Sequence, residues 1–159
     1  MTRTVLWLFL LVSSFAINAQ SKSQKEAVKK TIDTFFEALH KGDSTLMATV
    51  LHKTLNVQTT RDTREGKNVL LTESREKLLS NIAKKKPQDI YLEKLLSYDI
   101  KIDGNLASAW TPYEFYYNGN FSHCGANSFQ LFDDNGTWKI IYLVDMRRRG
   151  DCAALKSKK

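Results

Sequence analysis

Val28, Ile32, Phe35, Phe36 and Leu39 recur at offsets of 4, 3, 1 and 3, an apolar stripe of helical period. A helix is therefore predicted from about Ser23 to Lys41, ended by Gly42. Asp43 then caps a short second helix carrying Leu46, Met47, Val50 and Leu51. The alternation of Leu55, Val57 and Thr59 predicts a brief strand before the polar segment Arg61 to Lys67. A third helix begins near Thr72, carries Leu78, Leu79 and Ile82 on one side, and has Pro87 beyond its end. After that the period changes. Asp103-Gly104, Asn118-Gly119 and Asn135-Gly136 stand about fifteen residues apart, flanked by runs rich in Tyr, Phe, Trp, Ile and Val. These dipeptides readily take the positive φ that tight hairpins need, so the second half reads as a four-stranded antiparallel meander. Helices followed by a sheet that must bury one face beneath them make an α+β domain whose curved sheet wraps a cavity.

Side-chain parity then says which residues share a face. In the first meander strand Leu96, Tyr98, Ile100 and Ile102 lie together; in the second, Ala107, Ala109, Thr111, Tyr113, Phe115 and Tyr117 do, with Pro112 marking an edge or a bulge. His123, Phe129 and Leu131 share a parity in the third. The last strand, Trp138 to Arg147, is apolar on both parities through Ile140, Ile141, Tyr142, Leu143 and Val144. Both of its faces are therefore expected to be covered, and a second copy of the chain, forming a homodimer through the outer sheet face, is a candidate cover.

The N-terminus changes the picture of where the chain works. Arg3 supplies a positive n-region, Val5 to Val12 an unbroken apolar run, and Ala16-Ile17-Asn18-Ala19 a small-residue exit. Residues 1–19 read as a secretory signal peptide and residues 20–159 as a single domain, which predicts a periplasmic or secreted protein with no stable membrane insertion after cleavage. Losing Arg3 takes the formal charge from +7 to +6. The excess sits in Lys84-Lys85-Lys86, Arg147-Arg148-Arg149 and the C-terminal lysines, without the interleaved aromatics that stack bases, so no nucleic-acid partner is implied. Cys124 and Cys152 are the only cysteines. In an oxidising compartment they form a disulfide that pins the tail to the sheet; a buried Cys124 with a free Cys152 is the competing reading.

Recognisable catalytic signatures are missing. His40, His52 and His123 show no His-x-x-x-His spacing, the cysteines no Cys-x-x-Cys spacing, and no Gly-rich phosphate loop or Gly-x-Ser-x-Gly elbow occurs. Neither a metal nor another cofactor is predicted. The order of elements, with His123-Cys124-Gly125, Phe129-Gln130-Leu131, Gly136-Thr137-Trp138-Lys139-Ile140 and Asp145-Met146-Arg147-Arg148, resembles the nuclear transport factor 2-like superfamily. Within it the chain is most similar to the exported bacterial group named for lumazine binding, near the polyketide-cyclase branch. The resemblance covers about Lys25 to Cys152 and implies a cone-shaped α+β fold, three N-terminal helices packed on a curved antiparallel sheet, with a pocket between them. That superfamily spans isomerases, dehydratases, cyclases and binding modules, so the fold leaves function open.

Candidate residues follow from chemistry and placement. His123, with an ordinary pKa of about 6.5, suits proton exchange, or is a rim histidine bonded to backbone. Asp145 and Arg147 lie two apart on one strand: a pocket carboxylate with an anchoring guanidinium, or a structural ion pair. Tyr113, Trp110 and Tyr116 offer aromatic walls for a planar ligand, or simply pack. His52, placed near the end of the second helix, is a ligand contact or a helix cap. The exposure of Glu114 and Asp99 is not set by sequence, so they define no two-carboxylate pair. Three functions remain: a binding module holding a planar or apolar, pterin- or flavin-like molecule; a cofactor-free lyase or isomerase using His123 and Asp145; and an interaction protein whose cone is filled core.

Overall fold

The computed structural model describes residues 3–155, with side chains from Lys22 onward except that of Ala154. The proposed signal segment, residues 1–19, thus lies wholly outside the described side chains. Helix α1 (Arg3–Lys41) buries Val28, Ile32, Phe35 and Phe36 of the stripe its period predicts, leaves Leu39 partly buried, and buries Ala38 in addition. Asp43 accepts the Leu46 amide at 2.8 Å and starts α2 (Ser44–Val50). The chain passes directly into β1 (Leu51–Asp62), so Leu51 and His52 belong to a strand and not to the helix end.

Polar residues 63–67 form the turn of a hairpin, with Gly66 at φ 75° and the Thr63 amide bonded to the Lys67 carbonyl at 2.8 Å. Its second arm, β2 (Asn68–Ser74), pairs antiparallel with β1. Val69 to Thr72, β-branched and apolar, satisfy that ladder before a helix can start. Helix α3 (Arg75–Ala83) consequently begins three residues later than the periodicity places it, with Ser74 accepting the Lys77 amide.

Strands β3 (Tyr91–Leu95), β4 (Asp99–Asp103), β5 (Leu106–Tyr117), β6 (Asn120–Asp133) and β7 (Trp138–Arg148) follow. The seven strands run in the order β2-β1-β7-β6-β5-β3, with β4 beside β3 along the same edge of β5. Every pairing is antiparallel except β1 with β7, which is parallel. Asn118 and Gly119 both take positive φ, as a type I′ turn requires. At the first hairpin the turn falls on Gly104-Asn105, because Asp103 still pairs with Leu106.

The first meander strand is interrupted. Residues 96–98 leave the ladder opposite Pro112, whose carbonyl accepts the Leu96 amide at 2.8 Å. A residue's N and O point to the same side of a strand, so the missing N–H of Pro112 faces this handover from β4 to β3 and costs the β6 ladder nothing. In β7, Ile141 is an extra residue: Gln130 pairs with Tyr142 but Leu131 with Ile140. The bulge switches parity, turning Ile140 and Leu143 to the same side, and both are buried. This switch is one source of the double-sided apolarity read from sequence.

Helix α1 packs against the inner face of the sheet, where Ala107, Ala109, Phe129, Leu131, Ile140 and Leu143 close the core with Phe35, Phe36 and Met47. The rings of Phe35 and Phe36 meet Phe129 edge-on at 5.9 and 6.1 Å. This part of the cone is filled. On the outer face a short 3-10 helix (Cys152–Leu155) lies against β5 and β6, bridged to the sheet through Cys124–Cys152 with Cα atoms 6.0 Å apart. Outward-facing Cys124, Ala126 and Glu114 are buried there, whereas Trp110, one pair of rows away, is 50% exposed.

Candidate functional site

Ladder register puts directly opposed residues on one face. Across the inner face the rows run Ala109–Phe129–Leu143–Val57, then Thr111–Asn127–Asp145–Thr59, then Tyr113–Gly125–Arg147–Arg61, then Glu93–Phe115–His123. The first row is core; the others form a polar end to the cone. His123, Asp145, Tyr113 and Arg147 are thus brought together. Trp110 and Tyr116 are not, because even positions of β5 face outward; Tyr116 there donates to Glu114 at 3.0 Å. His52 stands at the start of β1, where its Nδ1 meets Thr54 and its ring packs edge-on against Phe132. It lines a separate shallow cleft with Lys53, Asp134 and Lys139.

Asp145 is buried and fully engaged. Thr59 donates to one carboxylate oxygen at 2.5 Å, Arg147 clasps both oxygens through Nε and Nη2, and the Tyr113 hydroxyl lies 3.5 Å from the second. The Arg147 side chain is half exposed, so one end of the guanidinium is fixed and the rest reaches toward solvent. Tyr113 crosses to β7 and donates to the Met146 carbonyl at 3.3 Å. Gly125 makes that crossing possible: a Cβ there would stand 1.6 Å from the Met146 oxygen and 3.1 Å from the Tyr113 hydroxyl. Burial, then the negative charges of Glu93 and Asp145, raises the phenol's pKa above its ordinary value, so Tyr113 stays a hydroxyl.

His123 stacks at 4.8 Å on Phe115 and stands edge-on to Tyr113 at 5.8 Å. Burial, reinforced by the charges of Arg147 and Arg149, lowers its pKa to about 4, so the imidazole is neutral at physiological pH. Glu93 and Asn127 complete the cluster, and sequence gave no cue to either. The Asn127 amide donates to one Glu93 oxygen at 2.8 Å. Burial, with the Asp145 charge adding to it and the Asn127 bond opposing, pushes the Glu93 carboxyl up to about 7. Thr111, wholly buried in the second row, has a hydroxyl with no hydrogen-bond partner among the described residues.

A cleft of about 460 Å³ opens between α1 and the β3–β4 edge, lined by Asp33, Phe36, Glu37, His40, Lys41, Glu93, Leu95 and Tyr98. His40 ties its two walls: its Nε2 accepts the Glu93 backbone amide at 2.8 Å, satisfying an edge-strand donor. Burial and the nearby Lys85 charge lower the pKa of this imidazole. Glu93 belongs to both the cleft and the inner-face cluster. Neither His123 nor Asp145 lines the cleft. Among the described residues no group of three or more His, Cys, Asp and Glu side chains is placed to hold a metal ion, and no helix is long and apolar enough to cross a membrane.

Residues 23–144 match the family described as "Putative lumazine-binding". The chain belongs to this lumazine-binding family. Among solved structures, its fold is similar to that of an NTF2-like protein with a cystatin-like fold from Novosphingobium aromaticivorans (14% identity, TM-score 0.68, 91% of this chain and 95% of that one). A second likeness is to the β subunit of a "putative aromatic-ring-hydroxylating dioxygenase" from the same organism (13%, TM-score 0.67, 82% and 93%). A third is to a "putative dehydratase from the NTF2-like family" of Streptomyces avermitilis (13%, TM-score 0.63, 82% and 99%). At these identities the likeness establishes the fold alone: this lumazine-binding family member is an NTF2-like α+β protein. No curated protein matches its sequence.

Proposed function

We propose that this protein is exported to the periplasm or beyond and there binds a small planar molecule at the polar end of its cone. The observation that carries the binding role is the double membership of Glu93. A ligand in the cleft rests against Phe36, Leu95 and Tyr98 and touches a carboxyl held by Asn127, which stands in the row of Thr111 and Asp145. Apolar walls with a few convergent polar groups are what small-molecule sites present. The family description points the same way, toward pterin- or flavin-like ligands. Export is supported by the leader-like N-terminus and the Cys124–Cys152 bridge.

Calorimetry and thermal melts with lumazine, pterin, riboflavin, polycyclic aromatics and sterols test the binding role. At a hundred times its dissociation constant a cognate ligand adds about 2.7 kcal/mol of stability. Leu95→Ala and Tyr98→Ala, in the wall of the cleft, should lower that gain more than they lower the stability of the free protein. If none of these compounds shifts the melt, and both variants are merely less stable, the cone is core and the binding role fails. The isomerase alternative changes its residues: Asp145 is saturated by Thr59, Arg147 and Tyr113, so an acid/base role would fall to Glu93. A homodimer through the outer face would cover the half-exposed Trp110. Sedimentation that returns a monomer for the wild type ends that reading, and a dimer broken by Trp110→Glu supports it.

A further inference from the structure

Two groups in the wall of the α1–β3 cleft have fixed and opposite hydrogen-bonding polarity. Glu93 has one oxygen held by the Asn127 amide; the other carries no hydrogen bond among the described residues and is not among their buried unpartnered atoms, so it keeps some contact with solvent, and the residue lines the cleft. His40 uses Nε2 to accept the Glu93 amide, so its own ring proton sits on Nδ1. Because that bond joins the histidine to the backbone of the glutamate, the spacing of acceptor and donor is set by the fold. Other polar groups lining the cleft are already matched. Asp33 takes Lys29 at 2.6 Å and the Tyr98 hydroxyl, and Glu37 takes Lys41 at 2.5 Å.

Resting on the binding role above, we propose that Glu93 and His40 form the recognition edge of this cleft, and that its ligand is a planar heterocycle presenting a cyclic lactam, an N–H beside a C=O. The ionised carboxylate accepts the ligand N–H, and His40 Nδ1–H donates to the ligand carbonyl. Phe36, Leu95 and Tyr98 supply the apolar wall for the ring. Such a pair discriminates strongly, because a ligand lacking the N–H leaves a half-buried carboxylate without its partner.

The pairing depends on protonation. Charged or titratable groups bearing on Glu93 are Asp33, Glu37, His40 and Lys41 from α1, Tyr113 from β5, Asp145 and Arg147 from β7, and Tyr98 ahead of β4; Lys85 bears on His40. With the carboxyl at about 7, acid converts its free oxygen from acceptor to donor, which opposes the ligand N–H. Affinity then falls about tenfold per pH unit well below that point.

Fluorescence titration with lumazine and 1,3-dimethyllumazine, whose lactam nitrogens carry no proton, from pH 5.5 to 7.5, tests this in the wild type and in Glu93→Gln. The expected results are wild-type affinity for lumazine that rises with pH, at least tenfold weaker binding of the methylated probe, and loss of both effects in Glu93→Gln. Comparing the two probes on the wild type requires no variant to fold. If lumazine binds but its pH profile persists in Glu93→Gln, or if the methylated probe binds equally well, the recognition edge is wrong and the binding role stands. If the wild type binds neither probe, the lactam class is excluded; the binding role falls only if every other compound class in the screen also fails.

Discussion

Gly125 shows how a single residue sets the site. Its absent side chain lets Tyr113 reach Met146, and Gly125→Ala would force a Cβ to within 1.6 Å of a backbone oxygen that cannot swing away. We expect that variant to lose on the order of 3 kcal/mol or more in urea denaturation, and to loosen Tyr113 and His123 with it. Glu93 gives a second residue-scale test. Its folded pKa, about 7, lies above the unfolded value near 4.5, so the fold favours the protonated form. Stability from this group is therefore complete below pH 4.5 and lost as pH rises through 7. Glu93→Gln should accordingly gain on the wild type by roughly 2 kcal/mol between pH 5 and pH 8, read as a difference in melting temperature. His123 runs the other way: its depressed pKa makes its contribution complete above 6.5 and lost as pH falls toward 4. The inward placement of His123 was legible because strand parity groups it with Phe129 and Leu131, and the pairing of Asp145 with Arg147 because they lie two apart on one strand. Glu93 was not, since a glutamate in a five-residue strand looks like any surface residue until α1 packs over it. His40 entered the sequence reading only as one of three histidines without metal-ligand spacing, yet it works as a neutral acceptor for a strand edge.

Among elements, the hairpins were the most legible, because Asn118-Gly119 and Asn135-Gly136 dictate positive φ locally. Strands β2 and β3 were hidden for a different reason: each is an edge strand whose identity depends on a partner distant in sequence, β1 or β5. The parallel pairing of β1 with β7 was equally invisible, since no turn connects them. At this scale the tail is the feature to test. The bridge closes a span of 28 residues and holds the 3-10 helix over Glu114 and Ala126. Removing it with Cys152→Ser should cost about 3 kcal/mol and expose that patch to hydrogen exchange while leaving the inner-face cluster protected. Two free thiols by mass analysis of protein taken from the cell envelope would dispose of the bridge.

For the whole molecule, export is checked by N-terminal sequencing: the mature chain should begin near Gln20, and recovery of Met1 from exported protein would count against it. The parallel contact between β1 and β7 also governs when the molecule can exist at all. Residues 56–61 find their neighbours only at residues 142–147, nearly at the end of the chain. As the polypeptide is synthesised, the β1–β2 hairpin therefore waits, unpaired on one side, until the final strand is made. Contacts this distant in sequence slow closure. A chain that stays open until its last strand emerges is also one that an unfolded-chain export route can still thread. Shortening the protein to residue 137 should leave the amides of residues 51–62 that face β7 unprotected from solvent exchange, although every residue of that strand is present.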